Sequence, residues 1–210
     1  MAISLKKGQG VSLKKSENDL SLVTIGLGWD VKEEKKGLFA NIFGGSKEED
    51  YDLDVIAFLC RSDGKVHSVG NDRLIGGDIV FFNNLRHTSG SIWLTGDNRT
   101  GAGEGDDEQI IVKLNDLPQQ FTKIVFIVQI YQGIQRNQSF GKVQNAFIRA
   151  VDAKGREMVR FDLSGGESFS QYRSLLFAEL EREEGGWKFN AIGTPDGSDT
   201  FLEWLRRYVR

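Results

Sequence analysis

The run Lys123-Ile124-Val125-Phe126-Ile127-Val128-Gln129-Ile130-Tyr131 is apolar with almost no alternation. A strand facing water on one side alternates polar and apolar residues, so near-continuous apolarity implies burial on both faces, as at the centre of a sandwich. Other short β-like runs recur on either side of it, separated by turn signals: Leu22–Trp29, Leu53–Leu59, Ile79–Phe82, Ser91–Leu94, Ile110–Leu114, Ala146–Val151, Glu157–Leu163 and Trp187–Ile192. Ser174–Glu181 is helical on propensity alone, but the rhythm of its neighbours favours a strand. The chain holds 25 Gly and only two Pro, which suits many tight turns rather than rigid linkers. Ser62-Asp63-Gly64-Lys65 carries an Asp-Gly pair, whose residues accept positive φ, and it predicts a hairpin after the Leu53–Leu59 strand. Many strands without long helical patterns between them predict an all-β fold, an antiparallel β-sandwich.

Two segments break the rhythm. Residues 31–50 read VKEEKKGLFANIFGGSKEED, charged at both flanks around a Gly-Leu-Phe and Phe-Gly-Gly centre. They are expected to be a surface loop insert with a few apolar residues folded back. A partner-binding or membrane-touching flap is disfavoured, because the apolar part is too short to anchor alone. At the other end, Thr200 and Glu203 stand at capping-box spacing, and Phe201, Leu202, Leu205, Tyr208 and Val209 follow helical periodicity. A short C-terminal helix over 198–210, docked on the sandwich, is expected. The whole of 1–210 then reads as a single domain.

Charge and cysteine usage remove several classes of function. A net charge of −3 gives no electrostatic case for nucleic acid. No apolar run is long enough to span a bilayer, and the start MAISLKKGQG lacks the apolar stretch of a signal peptide. One cysteine, Cys60, forms no internal disulfide and has no resolving partner for thiol redox work. These features point to the cytosol. His67 and His87 lie in polar, turn-like contexts without other ligands at metal spacing, so both are expected at the surface.

The chemistry concentrates in Thr95-Gly96-Asp97-Asn98-Arg99-Thr100-Gly101-Ala102-Gly103-Glu104-Gly105-Asp106-Asp107-Glu108. Five carboxylates, four glycines and one arginine share these residues. A solvated acidic turn needs no such density of glycine, which lets carbonyls turn inward and the chain curl tightly. Oxygen donors of this kind suit a hard cation such as calcium. A phosphate cradle fails on charge. An EF-hand fails because its third and sixth positions would be Arg99 and Ala102. Asp52 and Asp54 share one face of a strand, with Leu53 directed into the core. Asp30 follows the strand ending at Trp29, and Asn83 and Asn84 follow Phe82. Two carboxylates about 5 Å apart repel by about 0.8 kcal/mol in water and roughly 3 kcal/mol at an effective dielectric near 20. Such groups either stay apart or are neutralised by a cation, and the residues alone leave both possibilities open.

These stretches resemble the TerD family of bacterial tellurite-resistance and chemical-stress proteins. The resemblance rests on Val11-Ser12-Leu13, Val23–Asp30, Asp52-Leu53-Asp54, Val80–Asn84, Thr95–Asn98, Gly105–Glu108, Lys123–Phe126, Phe140-Gly141, Asn145–Arg149 and Gly186-Trp187-Lys188. It covers nearly all of the chain up to Gly193. The tail from Thr194 departs from the glycine-rich ending usual there. The resemblance implies a β-sandwich that binds Ca2+ between acidic loops, with candidate ligands Asp30, Asp52, Asp54, Asn83, Asp97, Asn98, Asp106, Asp107 and Glu108. It also implies a cytoplasmic, non-enzymatic stress protein, peripheral at the inner membrane face when it meets other proteins of its operon. Two rivals stand beside it: a metal-dependent hydrolase using the same acidic cluster, and a purely structural interaction domain.

Overall fold

Alternation and continuous apolarity are both realised, each where burial demands it. The computed structural model describes residues 2–31, 51–95, 105–163 and 169–209. The predicted insert therefore lies outside the described residues except for Val31, as do Asp97 and Asn98. Twelve strands occur among the described residues: β1 (Ile3–Leu5), β2 (Gly10–Lys14), β3 (Val23–Val31), β4 (Leu53–Cys60), β5 (Ile79–Val80), β6 (Ile92–Leu94), β7 (Glu108–Val112), β8 (Lys123–Ile130), β9 (Val143–Val151), β10 (Glu157–Asp162), β11 (Ser174–Glu183) and β12 (Gly186–Asp196). They form two six-stranded sheets. The first runs β1-β10-β9-β3-β7-β6 and the second β2-β12-β11-β8-β4-β5. All pairings are antiparallel except β1 with β10.

The two sheets close on one core. Val23, Ile25, Leu27 and Trp29 of β3 point into it, opposite Leu53, Val55, Ala57 and Leu59 of β4 and Ile124, Phe126, Val128 and Ile130 of β8. Fully burying each large apolar side chain contributes about 1.5–3 kcal/mol. The other face of β4 and β8 is buried as well. Ile56, Phe58, Cys60, Val125 and Ile127 form a second cluster under α1 (Phe201–Tyr208), which contributes Phe201, Trp204 and Leu205. That cover explains why the β8 run has no solvent face.

The fold departs from the expected elements at three points. The edge strands β1 and β2 lie outside the strand pattern, because their burial is slight and gives little periodic signal. Asp63-Gly64 does turn, with Gly64 at φ +73° and its amide on the Arg61 carbonyl at 2.9 Å. Beyond one bond across the turn, from the Arg61 amide to the Lys65 carbonyl at 3.0 Å, the chain does not pair straight back. The Val66 amide bonds the Tyr208 carbonyl instead, and β4 lies between β8 and β5, antiparallel to both. The capping box is half made. Thr200 Oγ1 accepts from the Leu202 amide at 3.3 Å, while Glu203 turns to Arg206 and the Thr200 amide to Ser198 Oγ. Among the described residues no helix is long and apolar enough to cross a membrane.

Candidate functional site

The end of β3 places the first candidates. Its pairing with β9 shifts register between Gly28 and Asp30, and a bulge of this kind re-aims side chains at a sheet rim. Asp30 is exposed there and accepts from Asn145 Nδ2 at 2.6 Å. Beside it, β7 begins. The Asp107 amide donates to the Leu27 carbonyl at 2.8 Å, and Asp107 Oδ2 accepts from the Trp29 amide at 2.9 Å. The Asp107 side chain thus continues the ladder past its last regular pair, Leu27 with Glu108. Burial pushes the Asp107 carboxyl above its ordinary range. The Trp29 amide works against the rise, and the charges of Asp30 and Asp106 add to it. Asp30 and Asp106 are therefore close enough to oppose the ionisation of Asp107.

Asp106 faces the outside of the first sheet. Its Oδ1 accepts from Arg149 Nε at 2.7 Å, and its Oδ2 from Gln109 Nε2 at 3.1 Å. Arg149 also reaches Glu157 at 3.0 Å. This carboxylate lies flat over β3 only because residue 26 is glycine, where a Cβ would stand 2.2 Å from it. Gly28 likewise makes room for the Phe147 ring and the Gly105 carbonyl. Gly105 itself, at φ +108°, takes the turn that leads into Asp106.

Glu108 points the other way, into the sandwich, and is 2% exposed. Its Oε2 accepts from the Val55 amide of β4 at 2.5 Å, so it bridges the two sheets. Adjacent on β4, Asp54 is buried and accepts from Gln129 Nε2 at 3.0 Å. Asp52 is half-buried, and its carbonyl accepts from the Tyr131 amide at 2.8 Å. Asn83 is exposed at the tip of the Phe81–Asn84 turn. Asn84 is buried and structural, donating to the Ile79 carbonyl at 2.6 Å and accepting from the Gly76 amide at 3.3 Å.

The structure thus brings Asp30 and Asp106 each within electrostatic reach of Asp107. It places Glu108 against β4 beside Asp54, and Asn83 at a separate turn tip. Among the described residues no group of three or more His, Cys, Asp or Glu side chains is gathered to hold a metal ion. The donor chemistry still fits a hard cation: the candidates offer oxygen alone, and Asp107 sits where negative charge is already disfavoured.

Other reactive groups are occupied. His87 is buried, against the expectation of a surface residue. Its Nε2 lies 3.2 Å from Asp78 Oδ1, its Nδ1 2.8 Å from Ser89 Oγ, and its ring packs edge-on to Phe121. A polar local sequence concealed this, because the ring packs on Phe121, far from it in sequence. His67 is exposed and meets Asp63 at 2.9 Å. Cys60 is buried, and desolvation pushes its thiol up to about 12. Gln129, Arg149 and Trp204 were missed as partners by the sequence reading. A signal for Gln129 existed: it is the polar exception inside the apolar β8 run.

The model of the TerD domain family matches residues 1–207. The chain is 67% identical to the tellurium resistance protein TerX of Serratia marcescens over the full length of both. It is 41% identical to general stress protein 16U of Bacillus subtilis, covering 92% of this chain and 91% of that one. A solved homologue of the telluride resistance protein TerD from Streptomyces coelicolor superposes with a TM-score of 0.60 at 23% identity, covering 87% of this chain and 94% of that one. At that identity the likeness shows the fold alone.

Proposed function

The chain belongs to the TerD family, and from that premise we propose that it is a calcium-binding, non-enzymatic protein of a bacterial tellurium and chemical-stress response. The proposed donors are Asp30, Asp52, Asp54, Asp107 and Glu108. Asp97 and Asn98 join them on the sequence alone. Asp106 adds charge from behind, its oxygens held by Arg149 and Gln109. What calcium supplies in such a place is charge neutralisation and a link between strands of both sheets.

The observation that carries the reading is Asp107, whose ionisation is opposed by burial and by the neighbouring Asp30 and Asp106 carboxylates. Crowded carboxylates cost stability until a cation offsets them. Donors drawn from several strand ends give the adjustable geometry that calcium accepts, with about six to eight oxygens at 2.3–2.6 Å. The non-enzymatic part is supported by Cys60, buried with its thiol pushed to about 12, and by His87, enclosed between Asp78 and Ser89. Calorimetric titration of metal-free protein tests the reading. Saturable heat with calcium, and weaker heat with magnesium, is expected. No heat with either ion, or a preference for magnesium accompanied by hydrolytic turnover, would overturn it.

A further inference from the structure

Three polar side chains stand in one row across the covered face of the second sheet. The register pairs Asp54 with Gln129 and Gln129 with Ser174. They are 6%, 4% and 0% exposed. Beyond them on the same face the residues under α1 are apolar: Ile56, Val125, Ile127 and Leu176. Polar groups this deep persist only when bonded, and here the bonds run to the C-terminal helix. Gln129 Oε1 accepts from the Phe201 amide at 2.6 Å, and Ser174 Oγ accepts from Trp204 Nε1 at 2.9 Å. The Phe201 amide opens the helix, where no intrahelical carbonyl can satisfy it.

The Gln129 side chain is two-ended, with donors on one side and an acceptor on the other. Its orientation is set by what lies opposite. Asp54, when ionised, only accepts, so the Gln129 NH2 turns to it at 3.0 Å and the carbonyl is left for Phe201. A flipped amide would aim its NH2 at the Phe201 N–H, donor against donor. The placement of Asp54 therefore decides whether the first turn of α1 has its partner.

We propose that Gln129 is a positioning residue that couples Asp54 to the docking of α1, so that a cation held at the acidic end of β4 tightens the seat of the C-terminal helix. The choice of calcium as that cation rests on the function proposed above. A cation on Asp54 fixes that side chain in place, which holds the Gln129 amide in the orientation that serves Phe201.

Hydrogen exchange on the full chain, with and without calcium, tests this alongside calorimetric calcium titration of the same proteins. In the wild type, amides of 201–209 should slow on adding calcium. In Gln129→Leu they should exchange faster and ignore calcium, although calorimetry still registers binding. Ser174→Ala loosens the helix at Trp204 but leaves the relay, so its slowing with calcium should remain. A Gln129→Leu helix that slows as fully as the wild type overturns the coupling. If the wild type binds no calcium, the functional reading fails separately, and the relay is judged on metal-free protein. There Asp54→Asn, which lets the amide flip, should speed exchange in 201–209. It serves equally should Gln129→Leu not fold, and unchanged exchange in Asp54→Asn would then sink the relay.

Discussion

Asp107 and Asp152 show how burial of a carboxylate is resolved in opposite directions. Asp107 accepts from the Trp29 amide, but burial and two like charges outweigh that bond, and its carboxyl is raised. Its charge weakens the folded state, and the stability that goes with its protonated form is lost as pH rises through the raised value. Asp107→Asn should therefore leave the metal-free protein melting at the same temperature or higher, while most of the calcium-induced rise disappears. A full calcium response in that variant would exclude Asp107 from the site. Asp152 is buried too, and burial pushes it up, but the Arg156 and Lys154 amides and the Arg156 guanidinium outweigh that and lower it. Its contribution is present at neutral pH and lost as pH falls through the lowered value. Asp152→Asn should lower the melting temperature at pH 7, with the gap to wild type closing below about pH 4. A gap that stays constant down to pH 2 would refute this account.

At the scale of elements, β3 is the strand on which the acidic rim is assembled. Its inward face is Val23, Ile25, Leu27 and Trp29, and its outward glycines leave space for Gly105 and Asp106 and for the Phe147 ring of β9. The two glycines differ in what would have to move. At Gly26 a methyl would push the end of one side chain, Asp106. At Gly28 it would meet both the Phe147 ring at 2.4 Å and the Gly105 carbonyl at 2.7 Å. Overpacking of this kind costs about 1–3 kcal/mol, so Gly28→Ala should destabilise more than Gly26→Ala in urea titrations. Equal midpoints would contradict this. The C-terminal helix was legible as a helix from its spacing, but its seat was not. Leu202 belongs to the periodic pattern yet is exposed, whereas Trp204 lies outside it yet is buried and bonded to Ser174. Periodicity reports which residues share a helical face; the shape of the partner surface decides which of them it covers.

Across the whole molecule Glu108 ties the two sheets together, reaching β4 from β7, while Asp107 fastens the end of β3 within the first sheet. A ligand that binds only the folded state stabilises it by about 2.7 kcal/mol at a hundredfold excess over its dissociation constant. For a chain of this size that corresponds to roughly 5–10 °C. Chelation should lower the melting temperature by that order, and calcium should restore it better than magnesium. Melting indifferent to both chelator and calcium would remove metal binding from the reading. The sequence by itself determined the all-β class, most of the strands, the helix and the concentration of acidic donors, because these follow from local periodicity and composition. Only the tertiary structure decided that Asp106 looks outward to Arg149, that Glu108 looks inward to Val55, and that Asp54 is joined through Gln129 to the helix. Neighbouring residues on a strand alternate faces, but what waits on each face is set by register with strands far away in sequence, and register is a property of the folded chain.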